Sequence, residues 1–132
     1  PGNTFQDHRG KISFNNDFDA SAVKRIYFIE NADTNIIRAW QGHRVEQRWF
    51  SSIAGSFLIK LIRVENWENP DPASPAKEYK LSAENFSILY IPEGFISYIQ
   101  ALEDHSRLMV MADYGLGEIK DEYRYPADYF QL

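Results

Sequence analysis

The segment RAWQGHRVEQRWF, residues 38–50, sets a single imidazole, His43, among Arg38, Arg44 and Arg48, two tryptophans and the amides of Gln41 and Gln47. Imidazole is the side chain that titrates closest to neutrality, so His43 could move a proton or ligate a metal. Guanidinium groups repel cations and bind phosphate with paired hydrogen bonds. The segment therefore supports metal ligation, acid–base work at His43, or recognition of an anion by its arginines. Blander readings stand beside these: His43 as an interior histidine held by Glu46 or by a tyrosine, and the arginines as solvated or paired with some of the 19 acidic residues.

The elements that must position these residues read as strands. KISF (11–14), VKRIYFIE (23–30), IIRAW (36–40), VEQRWFSSI (45–53), SFLIKLIRV (56–64), FSILYI (86–91), FISYIQAL (95–102) and RLMVMA (107–112) are short, rich in β-branched and aromatic residues, and separated by turn signals. Eight such strands predict a β-sandwich or barrel. In residues 56–64, Phe57, Ile59 and Leu61 share one face and Leu58, Ile62 and Val64 the other, the pattern of an inner strand or a subunit interface. Gly55, the proline-rich ENPDPASPA (68–76) and PEG (92–94) mark turns, with Gly94 expected at positive φ. In the tail, GEIKDEYRYPADYF, a short helix is expected before Pro126. His105, in LEDHSR, reads as a surface hairpin residue and His8 as a turn residue.

Bulk properties narrow the function. A chain of 132 residues is expected to form one domain, 1–132. A net charge of −5 and a pI near 5.1 argue against nucleic acid or an anionic membrane as partner, while leaving room for a small anionic ligand. The lack of cysteine excludes disulfides and thiolate metal sites. No apolar run reaches membrane-spanning length, and PGNTFQDHRG has neither signal- nor transit-peptide character, so a cytoplasmic location is expected.

The spacing around His43 has a mechanical meaning in the metal-binding double-stranded β-helix barrels, the cupins. There, two histidines at i and i+2 of a strand face the barrel interior, an acid follows four or five residues on, and a last histidine comes three residues after a PxG turn. Here Gln41 takes the first histidine's place, Arg48 the acid's, and Ser97 the last histidine's, after Pro92 and Gly94. One imidazole beside a fixed cation is a poor home for a divalent ion, so neither metal nor other cofactor is expected.

The same residues carry a more specific resemblance. DHRGKISF resembles the D-x-R-G opening of the nucleotide-sugar cupins, and VKRIYFIE followed by RAWQGHR resembles the R-G-x-H-A-H-K segment of the dTDP-4-oxo-6-deoxyglucose 3,4-ketoisomerases. SPAKEYKLSAENFSILYIPEGFISYIQALED is similar to the SPT…LS…IP-x-GFAHGF-x-L-x-D stretch of the dTDP-4-dehydrorhamnose 3,5-epimerases. The likeness runs from Asp7 to about Tyr114 and fits both branches. It implies an all-β double-stranded β-helix, the jelly roll of those epimerases, assembled as a homodimer. It also implies an enzyme of deoxysugar and surface-polysaccharide biosynthesis that acts on a dTDP-4-keto-6-deoxyhexose by metal-free proton abstraction next to the ketone.

By the same resemblance, Arg38 matches a phosphate-binding arginine, Arg9 matches the arginine of the D-x-R-G opening, and Arg48 falls where the epimerases place a lysine near the substrate; with Gln41 these are the expected substrate-binding residues. His43 matches the second histidine of the ketoisomerase motif. The first, the base in both branches, is Gln41 here, and an amide cannot accept a proton at neutral pH. Leu108 stands where the epimerases keep a catalytic tyrosine. If the chain turns over a sugar, His43 must be the base, with Tyr27, Tyr98 or Tyr114 as acid. The alternative is a catalytically lapsed cupin that holds a nucleotide sugar or another carbohydrate, and a third reading is a structural partner of an active paralogue.

Overall fold

The computed structural model describes residues 2–131. Eleven strands carry the fold: β1 (Asn3–Asp7), β2 (Gly10–Phe14), β3 (Arg25–Ile29), β4 (Ile37–His43), β5 (Arg48–Ala54), β6 (Ser56–Arg63), β7 (Lys77–Ser82), β8 (Leu89–Ile91), β9 (Phe95–Ala101), β10 (Arg107–Ala112) and β11 (Glu122–Arg124). Among the described residues there is no helix. All strand pairs are antiparallel, in a four-stranded sheet ordered β3-β10-β5-β8, a five-stranded sheet ordered β11-β4-β9-β6-β7, and a separate β1–β2 hairpin. The eight expected strands all appear. β4 runs on through His43, β5 starts only at Arg48, and β8 keeps just the last three residues of its expected span.

Alternation places the core. Phe50 from β5, Phe57, Ile59 and Leu61 from β6, and Leu108 and Val110 from β10 form one buried cluster. Ile62 and Val64 turn the opposite way, into a second cluster with Trp40, Trp67, Ile96 and Phe130. The two-sided apolar pattern of residues 56–64 is thus that of an inner strand, between β9 and β7, and its second face is filled by the chain's own C-terminal residues. That removes this strand as support for a subunit interface.

Sequence periodicity missed three strands. β7, KEYKLS, alternates exposed Lys and Glu with Tyr79 and Leu81, an edge strand whose charges discourage further pairing. β1 and β2 pair only with each other, with Phe5 opposite Ile12 and both more than half exposed. The third is β11, which replaces the expected tail helix. Tyr123 pairs with Gly42, and Trp40 and Tyr125 exchange backbone hydrogen bonds of 3.0 and 2.8 Å, so the tail's polar backbone is satisfied by β4. Long-range pairing here overrides the local helical signal.

Gly94 takes φ +90° in its turn, as the PEG motif predicts, and Gly55 takes +66° between β5 and β6. At Gly55 an added Cβ would also lie 2.1 Å from the Ser106 hydroxyl, so both conformation and space require glycine.

Candidate functional site

β4 presents the site, and an irregularity sets its facing. Regular alternation would put Arg38 and Gln41 on opposite faces. Between Arg38 and Gln41 the register against β9 slips, Arg38 pairing with Ile99 and Gln41 with Ser97, so three residues of β4 oppose two of β9. Both side chains therefore line the interior while Trp40 enters the second cluster on the other face. His43 follows two residues after Gln41 and faces the same way.

The interior cavity has a volume of about 300 Å³. Phe50, Ile91, Phe95 and Ile99 supply apolar wall; Arg25, Tyr27, Arg38, Gln41, His43, Glu46, Arg48 and Arg124 supply the polar groups. Among the expected site residues, the structure thus brings Arg38, Gln41, His43, Arg48 and Tyr27 together. Tyr98 lies outside, on the alternate face of β9, its ring tilted against Trp40 and its hydroxyl donating to Gln100 Oε1 at 2.8 Å. Tyr114 does not line the cavity either, and Arg9 sits at the tip of the β1–β2 hairpin, exposed and paired with Asp7 at 2.7 Å.

At one end of the cavity, His43, Glu46 and Arg48 form a compact buried group. Arg48 Nη2 lies 2.9 Å from Glu46 Oε2 and 2.8 Å from His43 Nε2. A guanidinium only donates, so Nε2 is the acceptor and the imidazole is neutral with its proton on Nδ1. Nδ1 is 2.9 Å from Glu46 Oε2, without the alignment of a full hydrogen bond. Burial and, secondarily, the Arg48 charge lower the His43 pKa to about 4. Burial likewise raises the Glu46 carboxyl above its ordinary value, against the opposing pull of Arg48. Two nitrogens of Arg48, Nε and Nη1, are buried without a protein partner.

Asp121 holds this group from below. Its carboxylate accepts backbone N–H bonds from Arg44, Val45 and Glu46 at 3.0, 2.7 and 2.8 Å. At the rim, Gln41 Nε2 donates to Glu122 Oε1, which also accepts from Arg124 Nη2 at 2.9 Å. One ligand atom from each of His43, Glu46 and Asp121 falls within 4.8 Å of the others, a spacing a cation could use. Yet Asp121 is taken by three backbone donors and the other two by the Arg48 guanidinium, so an added cation would displace those bonds and sit beside a fixed positive charge.

Arg25, Glu46 as an Arg48 partner, Asp121 and Arg124 escaped assignment from sequence as site residues. Arg25 stood two residues before Tyr27 in a recognised strand, and that i, i+2 relation was the available signal. Arg124 and Asp121 were hidden by the helical reading of the tail.

No protein-family model and no curated sequence matches the chain. Solved structures do. The QdtA 3,4-ketoisomerase from Thermoanaerobacterium thermosaccharolyticum, a histidine-to-asparagine variant in complex with TDP-4-keto-6-deoxyglucose, superposes with a TM-score of 0.70 at 20% identity over 97% of this chain and 86% of that one. A dTDP sugar isomerase from Desulfovibrio desulfuricans gives 0.75 at 20% identity, covering 100% and 86%. The rmlC epimerase of Mycobacterium tuberculosis gives 0.74 at 15% identity, covering 96% and 66%. The chain has the fold of the nucleotide-sugar cupins. The all-β expectation and the family likeness in the sequence motifs meet in that architecture. The arginines of the cavity come from strands of both sheets, Arg25 and Arg48 from the four-stranded one and Arg38 and Arg124 from the five-stranded one.

Proposed function

We propose that the barrel binds a nucleoside-diphosphate sugar of the dTDP-4-keto-6-deoxyhexose class and, as its side chains stand, holds it without turnover. The observation that carries this reading is electrostatic. The protein has more acids than bases, yet among the described residues neither Arg25 nor Arg38 forms an ion pair, and both line the cavity. Two guanidinium groups without a direct ion-pair partner in one apolar-walled cavity suit a diphosphate, although Arg25 feels the Glu46 charge at longer range and rests on the Tyr27 ring. Arg38 is already oriented by Asn31, whose Oδ1 accepts from its Nε at 2.7 Å. The QdtA 3,4-ketoisomerase, which shares this fold, has been solved with TDP and with TDP-4-keto-6-deoxyglucose.

The absence of turnover follows from His43. Its Nε2 lone pair is occupied by Arg48, and a base of pKa about 4 is poorly matched to removing a proton beside a ketone. One feature favours the second reading, an active isomerase or epimerase. Glu46 stands at Nδ1, as a carboxylate does when it orients a catalytic imidazole, and Tyr27 lines the same cavity. A ligand that draws Arg48 away would free Nε2 to act as base with Tyr27 as acid. Incubation with dTDP-4-keto-6-deoxyglucose in deuterated water separates the two: no deuterium in the recovered sugar by mass spectrometry at high protein concentration supports binding alone, and incorporation establishes the isomerase class. Calorimetric titration with dTDP tests both; no heat would end the nucleotide-sugar assignment.

The reading includes a homodimer. Phe5 and Ile12 on the β1–β2 hairpin and Ile26 and Phe28 on the outer face of β3 are all about half exposed or more, an apolar surface suited to a second copy of the chain. Arg9, at the hairpin tip and away from its own cavity, would then serve the other copy only by exchanging its Asp7 ion pair for the ligand.

A further inference from the structure

Between β10 and β11 the chain runs DYGLGEIKD, residues 113–121, from an inner strand of the four-stranded sheet to the edge strand of the five-stranded one. Both ends of this segment are tied to the same short turn. Asp113 accepts from the Gln47 backbone N–H at 2.8 Å and from Gln47 Nε2 at 3.0 Å, while Asp121 takes the N–H groups of Arg44, Val45 and Glu46. Between these anchors the backbone pairs with no strand. Its bonds are local, Glu118 N–H to the Gly115 carbonyl at 3.1 Å and Gly115 N–H to Glu118 Oε2 at 2.6 Å.

At the crest lies Leu116, 85% exposed, between Gly115 and Gly117. Gly117 has φ +77°, and nothing lies within 4 Å of where its Cβ would be. Beneath the segment is an outer hollow of about 700 Å³, lined by Leu116, Ile119 and Lys120 on one side and by Arg25, His43 and Arg48 on the other. The latter three also line the interior cavity, so the hollow is its antechamber at the His43 end. A lone exposed leucine needs no explanation. This one is set on a glycine-flanked crest, between two fixed feet, over the mouth of a cavity with unpaired arginines.

We infer that residues 113–121 are a hinged strap forming the end wall of the ligand site, and that Leu116 turns in to cover the sugar of a bound nucleoside-diphosphate sugar. The fixed feet keep the strap in register while the glycines absorb the backbone change. Few interactions are lost on moving it, because its hydrogen bonds are local and its crest is solvated. Along β4, Arg38 lies five residues from His43, so a diphosphate on Arg38 directs the sugar toward His43 and the strap. The inference rests on the proposed function, since the ligand is the one named there.

Hydrogen-exchange mass spectrometry of peptides spanning 113–121, with and without saturating dTDP-4-keto-6-deoxyglucose, reads strap closure directly. Slower exchange is expected with that ligand. Leu116→Ala should weaken its binding about five- to twentyfold, by loss of a buried apolar contact, while leaving dTDP affinity within about twofold and the thermal midpoint unchanged. Exchange that stays the same while calorimetry records binding overturns the strap and leaves the proposed function intact. So does a Leu116→Ala variant whose loss is equal for dTDP and the sugar nucleotide, or absent for both. No heat with either ligand overturns both proposals.

Discussion

His43 shows how a residue's chemistry is set by its neighbours. Identity alone makes it a base; Arg48 at Nε2 and Glu46 at Nδ1 make it a neutral linker between a cation and an anion. Because its folded pKa is depressed, the unfolded chain binds a proton between about pH 6.5 and 4 that the folded chain does not. Stability from this group is therefore full above the unfolded pKa and is lost as pH falls through that window. Between pH 7 and 5 the protein should lose about 2 kcal/mol more than His43→Gln, measured by urea unfolding at each pH. Glu46, with its raised pKa, acts in the opposite direction above its ordinary value, and comparing the two proteins at each pH cancels most of its share. At the other end of the cavity, Arg38→Ala should weaken dTDP binding by about 1.5–3 kcal/mol, the range for a charge-assisted hydrogen bond; an unchanged calorimetric affinity would remove Arg38 from the phosphate site.

At the scale of elements, the site depends on β4 and on what the tail does beside it. The register slip after Arg38 places Arg38, Gln41 and His43 on one wall, and β11 brings Asp121 against the β4–β5 turn. Asp121 satisfies three backbone donors at once, one of them in buried Glu46. Asp121→Ala should cost about 2–4 kcal/mol by orphaning these groups, seen as a lower urea midpoint. It should also remove a carboxylate whose charge and backbone contact both raise the His43 pKa, so that the imidazole titrates still further below its ordinary value, which NMR titration would follow.

For the whole molecule, the two sheets enclose the cavity while the apolar surface of β3 and of the β1–β2 hairpin remains open. Placing Asp at both Phe5 and Ile12 should shift a dimer toward monomer in light scattering at micromolar concentration, with the fold intact by circular dichroism. A dimer that resists this double change does not use the hairpin. No helix of the described chain is long and apolar enough to cross a membrane.

The amino-acid sequence by itself determined the all-β class, eight of the strands, the two glycine turns and the identity of the polar residues around His43, because these follow from short-range alternation and turn chemistry. It also carried a resemblance to proteins whose fold the chain shares. Tertiary structure decided the rest. Which residues of β4 face inward turned on a register slip against β9, and whether the tail was helix or strand turned on pairing with β4. That the imidazole stays neutral turned on Arg48, five residues away in sequence and on a different sheet. Each of these depends on contacts between strands distant along the chain or across the barrel, which neither propensity nor spacing encodes.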